Sequence, residues 1–491
     1  MATRSLVTGA TGYIGGRLVP ELLDAGHDVR VLVRDEGKAR AHHWANDVEV
    51  AVGDATAADD VRAALDGVDV AYYLLHSIGT GGDFADTERR IATTFADAAA
   101  DAGVRRIVYL GGMVPQDEEL SEHLRSREQV GDVLLESGVP TAVLQAGVVI
   151  GSGSASFEML RYLTERLPVM VTPRWVHSRI QPIAVRDVLR YLVGCADLPD
   201  DVNQRFDIGG PDVLTYLEMM QGYATVARLP RRRVLPVPVL SPWLSSHWVG
   251  LVTPVPAGLA RPLVESLRNT VVASEHDIER HVPDPPDGLI GYERSVELAL
   301  TKVKNLDVPT RWSSAATPGA PAEPLPSDPD WAGGSLYQDS RTREVRASPE
   351  ALWSVIEGIG GRNGWYSWGL AWSVRGLLDR LVGGPGLRRG RRNEKDLVVG
   401  DALDFWRVEA TDDEKFLRLR AEMRLPGLAW LELQVGSTDG GTTTFHHRAL
   451  FHPHGLFGHL YWWSVLPFHG IVFGGMQRNI AKAAEALEAD S

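Results

Sequence analysis

Leu6-Val7-Thr8-Gly9-Ala10-Thr11-Gly12-Tyr13-Ile14-Gly15 decides the fold of the first third of the chain. Residues 5–8 read as a strand and residues 13–25 as a helix ended by Gly26. Glycines at 9, 12 and 15 let the backbone turn tightly, approach a diphosphate closely and pack the helix on the sheet. The helix start then aims bare N–H groups at the anion. Outward from this turn, apolar strands at 28–33, 48–52, 68–75, 104–110 and 141–150 alternate with helices at 57–65, 84–102 and 118–136. Near-continuous apolar strands separated by helices predict a doubly wound parallel α/β sheet, covered on both faces, with its core in residues 1–150.

The rest of the chain is bounded by composition. A length of 491 residues predicts two to four domains. A net charge of −14 gives no footprint for a phosphate backbone, which argues against a nucleic-acid partner. The single cysteine, Cys195, excludes an internal disulfide and fits a reducing cytoplasm, where the protein is expected. The start of the chain shows no signal-peptide pattern. Residues 455–476 carry no formal charge, but His459, Pro467, His469 and several glycines interrupt them. They are expected to form a buried, aromatic-rich element and not a membrane span.

Prolines break up residues 151–305, with helices surviving near 156–167, 185–195 and 216–227. They read as a substrate-side subdomain on the ends of the sheet, so that residues 1–305 form one domain. Six prolines between 309 and 330 predict an extended linker, residues 306–336. Ten of the 14 tryptophans lie at or after Trp312, so the tail, residues 337–491, has a different interior. Its pattern is a strand at 341–346, a helix capped by Ser348 with Pro349 at its first position, several strands between 397 and 451, and a terminal helix.

Further candidate cofactor contacts follow from position at the carboxyl edge of the strands. Arg34 closes the second strand, where it would accept a 2′-phosphate and favour NADP; the adjacent Asp35 could serve a 2′-hydroxyl and allow NAD. Asp54, followed by Ala55, ends the third strand, where a carboxylate meets an adenine amino group. Leu75, His76 and Ser77 end the fourth, beside the ribose. The loop Gly151-Ser152-Gly153-Ser154 reads either as a cover over the nicotinamide or an anion, or as a turn with an N-cap.

Residues 1–305 resemble the atypical, NmrA-like short-chain dehydrogenase/reductases. The resemblance rests on the opening Gly-rich stretch, on Gly53-Asp54, and on Val104-Arg105-Arg106-Ile107-Val108-Tyr109-Leu110-Gly111-Gly112. It implies a Rossmann fold holding NAD(P). Active members carry a Tyr and, four residues on, a Lys on the helix after the fifth strand; here His123 and Arg127 have that spacing, and Gly111-Gly112 stand where a catalytic Ser is frequent. His123, with an ordinary pKa near 6.5, is the candidate general acid, and Arg127 the candidate holder of ribose hydroxyls. The stretch from Val345 to Trp353 resembles the opening of the START-like, polyketide-cyclase-like helix-grip fold, an α+β architecture around a cavity. The tail's aromatic residues suit an apolar ligand in such a cavity, or simply fill a core. His452 and His454 read as sharing a strand face, which permits metal ligation, but no acid or cysteine completes a set; no metal is expected. The basic run Arg388-Arg389-Gly390-Arg391-Arg392 reads as a solvated loop.

Three functions remain open at this point. One is an NAD(P)H-binding oxidoreductase transferring hydride to a small apolar carbonyl or quinone captured by the tail. The second is a non-catalytic NADPH sensor or assembly protein, as in NmrA-like regulators and the complex I accessory subunit. The third is a cofactor-retaining epimerase or isomerase. A homo-oligomer is compatible with all three.

Overall fold

In the computed structural model, residues 2–75, 84–115, 120–172, 174–236, 252–256, 269–301, 326, 328, 332–361, 364–367, 397–412, 415–439 and 442–490 are described. They fall into two compact units, Met1–Val303 with Ala322–Gly334, and Lys304–Pro321 with Ser335–Ser491.

In the first unit, strands and helices alternate as β1 (Arg4–Thr8), α1 (Gly15–Asp24), β2 (Asp28–Val33), α2 (Glu36–Arg40), β3 (Glu49–Val52), α3 (Ala58–Leu65), β4 (Val70–Tyr73), α4 (Phe84–Asp101), β5 (Arg106–Gly112), α5 (Glu122–Leu135) and β6 (Thr141–Ala146). After β6 come α6 (Ala155–Arg166), α7 (Val185–Gly194), β7 (Gln204–Ile208), α8 (Tyr216–Val226) and α9 (Tyr292–Leu300). The seven strands form one parallel sheet in the order β7-β6-β5-β4-β1-β2-β3. The order reverses direction between β1 and β4, which opens a crevice at their carboxyl ends.

Period-two burial explains why both faces are covered. Val7, Val31 and Tyr72 point to one side, against Leu18 and Leu22 of α1 and Leu192 of α7. Leu6, Leu32 and Ala71 point to the other, against Val61 of α3 and Phe95 of α4. Two features differ from the sequence reading. The strand expected over 141–150 stops at Ala146, and Val149–Ile150 pairs instead with Ile183–Ala184. The helix at 185–195 and the strand β7 extend the sandwich itself, so part of the expected substrate-side region belongs to the Rossmann layers. A separate core joins α6, α8 and α9 through Phe157, Tyr223 and Tyr292.

In the second unit, β8 (Tyr337–Val345) and α10 (Pro349–Glu357) precede a meander of β9 (Ala402–Leu403), β10 (Trp406–Asp412), β11 (Phe416–Ala421), β12 (Gly427–Asp439) and β13 (Thr442–Pro453), closed by α11 (Gly455–Asp490). The sheet is antiparallel, in the order β8-β13-β12-β11-β10-β9. Ser348 caps α10 by accepting from the Ala351 N–H at 3.3 Å. The core joins Leu352 and Ile356 of α10 to Phe405, Leu419, Leu431 and Ile480.

The expectation of a buried element at 455–476 is corrected. These residues are the first half of α11, and a helix can press only one face on the sheet. Gly458, His459 and Trp462 are buried there, whereas Phe457 and Trp463 are 77% and 60% exposed on the other side. No described helix is long and apolar enough to cross a membrane.

Glu432 of β12 is fully buried between Arg418 of β11, whose Nε donates at 2.7 Å, and Arg448 of β13, whose Nε donates at 2.6 Å. One carboxylate thus ties three adjacent strands. Removing it would strand a buried guanidinium, Arg418, which costs more than the pair contributes. Glu432→Ala is expected to lower the unfolding free energy of the second unit by roughly 3–5 kcal/mol in chemical denaturation.

Candidate functional site

The turn after β1 is built on backbone contacts that exclude side chains. Gly9 has φ +70°, and a Cβ there would meet the Leu74 carbonyl oxygen at 2.7 Å. A Cβ on Gly15 would stand 2.3 Å from the Gly9 carbonyl oxygen. Gly12 donates its N–H to that same oxygen at 2.9 Å, and Gly16 donates to the Gly12 carbonyl at 2.8 Å. Thr8 completes the arrangement: its hydroxyl donates to the Tyr72 carbonyl at 2.9 Å and accepts from the Leu74 N–H at 3.2 Å. The turn is therefore pinned to β4 at the crevice. Ala10 is buried in the core, Ile14 is the N-cap residue of α1, and Thr11 and Gly12 are left toward solvent. The side-chain-free turn leading into α1 has the shape that fits a diphosphate, while the Gly12, Gly16, Arg17 and Leu18 N–H groups are already donated within the turn.

The adenosine side is similarly organised. Asp35 caps α2, accepting from the Lys38 N–H at 3.2 Å, so its carboxylate is turned to its own helix. Arg34 is exposed and close enough to lower the pKa of Asp54. The Thr56 N–H and hydroxyl hold Asp54 Oδ1, both at 2.8 Å, and they are the main cause of its lowered pKa. Ala55 follows Asp54 at the end of β3 and, with Leu75 after β4, packs on the core beneath α3 and α4. His76 and Ser77 lie outside the described residues.

His123 and Arg127 sit on the first two turns of α5, which Ser121 caps by accepting from the Leu124 N–H. Arg127 Nη1 donates to the Leu110 carbonyl of β5 at 3.2 Å, and Tyr109 Oη donates to the Arg127 carbonyl at 3.3 Å. Burial, then the Arg127 charge, lowers the His123 pKa to about 4. At neutral pH the ring is therefore an uncharged imidazole offering one N–H, and not a proton store. Beneath this helix, Ser126 donates to the buried Glu88 of α4 at 2.5 Å.

The loop at 151–154 is tied into the surrounding chain. Gly153 N–H donates to Glu158 Oε1 at 3.1 Å, Ser154 N–H to the Gly151 carbonyl at 3.1 Å, and Ser154 Oγ to the Val149 carbonyl at 2.8 Å. Ser154 occupies the N-cap position of α6, but its hydroxyl makes no cap bond to the helix. Glu158 is fully buried and also accepts from the Gly333 N–H at 3.1 Å. Burial raises its pKa.

Arg17 was not singled out from the sequence, yet it gathers this corner. Its guanidinium lies 4.2 Å from the Tyr13 ring centroid and donates to the Tyr13 and Ser152 carbonyls, each at 3.0 Å. It also grips both oxygens of Asp328, at 2.7 and 3.0 Å. The Tyr13 hydroxyl is buried beside Gly151 without a hydrogen-bond partner, and burial pushes its pKa up. The i, i+4 spacing of Tyr13 and Arg17 is legible in sequence; a partner 311 residues away is not. Elsewhere, Gln181 is structural, donating to the Gly210 carbonyl at 2.7 Å and accepting from the Ala273 N–H at 3.0 Å. His452 ends up within β13 and His454 beyond it. Among the described residues, no group of three or more His, Cys, Asp or Glu is disposed to hold a metal. The run Arg388–Arg392 lies outside the described residues.

Comparison with known proteins divides along the same line. A family described as NAD(P)H-binding matches residues 9–147, and one described as a protein of unknown function (DUF2867) matches residues 331–476. A 3 beta-hydroxysteroid dehydrogenase/Delta 5-->4-isomerase of Mycobacterium tuberculosis is 37% identical over 116 residues, 22% of this chain and 30% of that protein. The ceramide reductase of Caulobacter vibrioides is 27% identical over 306 residues, 59% of this chain and 92% of that protein. The solved structure of Citrobacter sp. triphenylmethane reductase complexed with NADP(H) aligns with a TM-score of 0.48 and 18% identity, covering 60% of this chain and 100% of that one. The chain spans about a third of the length of the first curated relatives it matches. With the sheet order and the glycine turn, the match at 9–147 makes that part of the first unit an NAD(P)H-binding Rossmann domain.

Two outcomes follow from this geometry. Gly15→Ala forces a methyl group against the Gly9 carbonyl, and NADPH affinity measured by fluorescence titration is expected to fall at least about tenfold. His123 has a folded pKa below its unfolded value, so the unfolded chain binds more protons between about pH 6.5 and 4. Stability therefore falls as pH drops through that window, and His123→Gln should remove one proton's worth of the slope in denaturation series at pH 4–7.

Proposed function

We propose that the protein is an NADP(H)-dependent reductase acting on an apolar carbonyl or quinone-type acceptor. The observation that carries this reading is the glycine turn at the β1/β4 crevice, with an uncharged His123 and a backbone-anchored Arg127 one helical turn apart on α5. Thr11, Gly12 and the first turn of α1 would hold the diphosphate, Asp54 the adenine and Arg34 a 2′-phosphate. NADPH, when bound, supplies a hydride. Arg127 then orients ribose hydroxyls, and the His123 N–H hydrogen-bonds the acceptor oxygen as negative charge develops on it, with solvent delivering the proton. An uncharged imidazole in this role polarises without being consumed as an acid.

The second unit, in this reading, is a START-like helix-grip domain that captures the acceptor. A six-stranded antiparallel sheet packed against a 36-residue terminal helix supports that assignment, as does the aromatic stack of Tyr337, Trp462 and Phe451 between them. The names of two relatives, a steroid dehydrogenase and a ceramide reductase, lend the lipid-like class of acceptor further support.

One observation favours a second reading, a non-catalytic NADPH sensor: no titratable pair stands where the Tyr and Lys of active reductases stand. Stopped-flow oxidation of NADPH across a panel of quinones and long-chain aldehydes separates the two. Turnover that His123→Ala slows about 10- to 100-fold is the reductase outcome; tight NADPH binding with no oxidation by any acceptor is the sensor outcome. Arg34→Ala is expected to weaken NADPH about tenfold or more while leaving NADH affinity unchanged, measured by parallel titrations. Equal losses for both would move the choice of cofactor away from Arg34.

A further inference from the structure

We infer that the first half of α11 is a bilayer-docking face, which lays the second unit on a lipid surface with the helix parallel to it. Leu456, Phe457, Leu460, Trp463, Phe468 and Ile471 follow one another at helical spacing and are all exposed. Over this length the stripe runs about 24 Å at 1.5 Å per residue. Contiguous apolar surface of this extent is uncommon on soluble proteins and marks an interaction site.

Charge decides what that site meets. Between Arg448 and Arg478 the sequence holds no Asp, Glu, Lys or Arg, so α11 itself adds no charge to its exposed stripe; among the described residues, Asp339 and Arg341 of β8 meet the helix at His469 and Gly474, on its partly buried side. Protein interfaces surround an apolar centre with polar and charged groups that fix orientation. A neutral stripe of Phe, Trp and Leu is instead what the boundary between headgroups and acyl chains accepts. The helix changes character where the stripe ends: Arg478, Lys482, Glu485 and Glu488 occupy its later turns, and Met476, Ile480 and Ala484 turn to the core. The stripe is too short to span a bilayer, and its other face is already engaged: the His459 ring is hydrogen-bonded to the Tyr337 hydroxyl at 2.8 Å, and Trp462 stacks on Tyr337. It can lie on a bilayer without unfolding the domain.

Residues 335–491 carry 19 Lys and Arg against 19 Asp and Glu, so the docking unit has no net charge for anionic lipid to attract, and attachment should be apolar and insensitive to salt. The test is flotation of the full-length protein with phosphatidylcholine vesicles, at low salt and in about 0.5 M sodium chloride. The protein should float in both, and Phe457→Glu with Trp463→Glu should reduce the floating fraction at least about tenfold. Both positions are exposed, and retained NADPH binding with an unchanged thermal transition certifies the fold of the double variant. Failure of the wild type to float, flotation unaffected by the double variant, or a self-association that the double variant abolishes without any flotation would each overturn the inference. Because flotation needs no acceptor and no turnover, its failure is separable from failure of the proposed reductase reading.

Discussion

The nucleotide-binding body depends on a contact between backbones. The Gly9 carbonyl oxygen lies where a Cβ on Gly15 would need to be, and Gly9 itself adopts a left-handed conformation against Leu74. Gly9 and Gly15 bring β1, the first turn of α1 and the end of β4 closer than a side chain allows. That approach fixes the crevice, the direction of the α1 amides and the seat of Tyr13. The remaining candidate contacts, Asp54 after β3 and His123 and Arg127 on α5, are hung on the same sheet by its strand order.

This constraint was legible because it is local. Glycine spacing, apolar strand runs and helix caps are short-range signals, and β1 to β6 fall within a few residues of where the pattern puts them. The departures have physical causes. β6 ends at Ala146, and beyond Gly147 the chain pairs anew, Val149–Ile150 with Ile183–Ala184, a long-range partner that no local pattern announces. β7 was missed because a five-residue edge strand with exposed Gln204 alternates too weakly to stand out. At the site, position alone named Arg34 and Asp54. Which neighbour is free to act depended on a cap, since Asp35 is committed to α2. The electrostatics of His123 were not legible either, because burial and a charge one turn away are properties of the packed helix and not of the motif.

The tail shows the complementary failure. A charge-free, aromatic stretch was expected inside, because composition cannot say how many faces a helix buries. The sheet covers one face of α11 and leaves Phe457 and Trp463 outward. The Arg418–Glu432–Arg448 clamp was equally hidden, since its members belong to three strands that pairing register alone brings into line.

The grip of Arg17 on Asp328 changes how the Pro-rich region should be regarded. A stretch composed like a free spacer is moored by a two-point ionic clasp, with Gly333 hydrogen-bonded to the sequestered Glu158 close behind. Asp328 and Gly333 therefore belong with the nucleotide-binding body, although they lie far from it in sequence. A cut in the chain ahead of Asp328 would not by itself set the carboxyl-terminal portion adrift, because the ionic clasp and the Gly333 hydrogen bond lie on its side of the break.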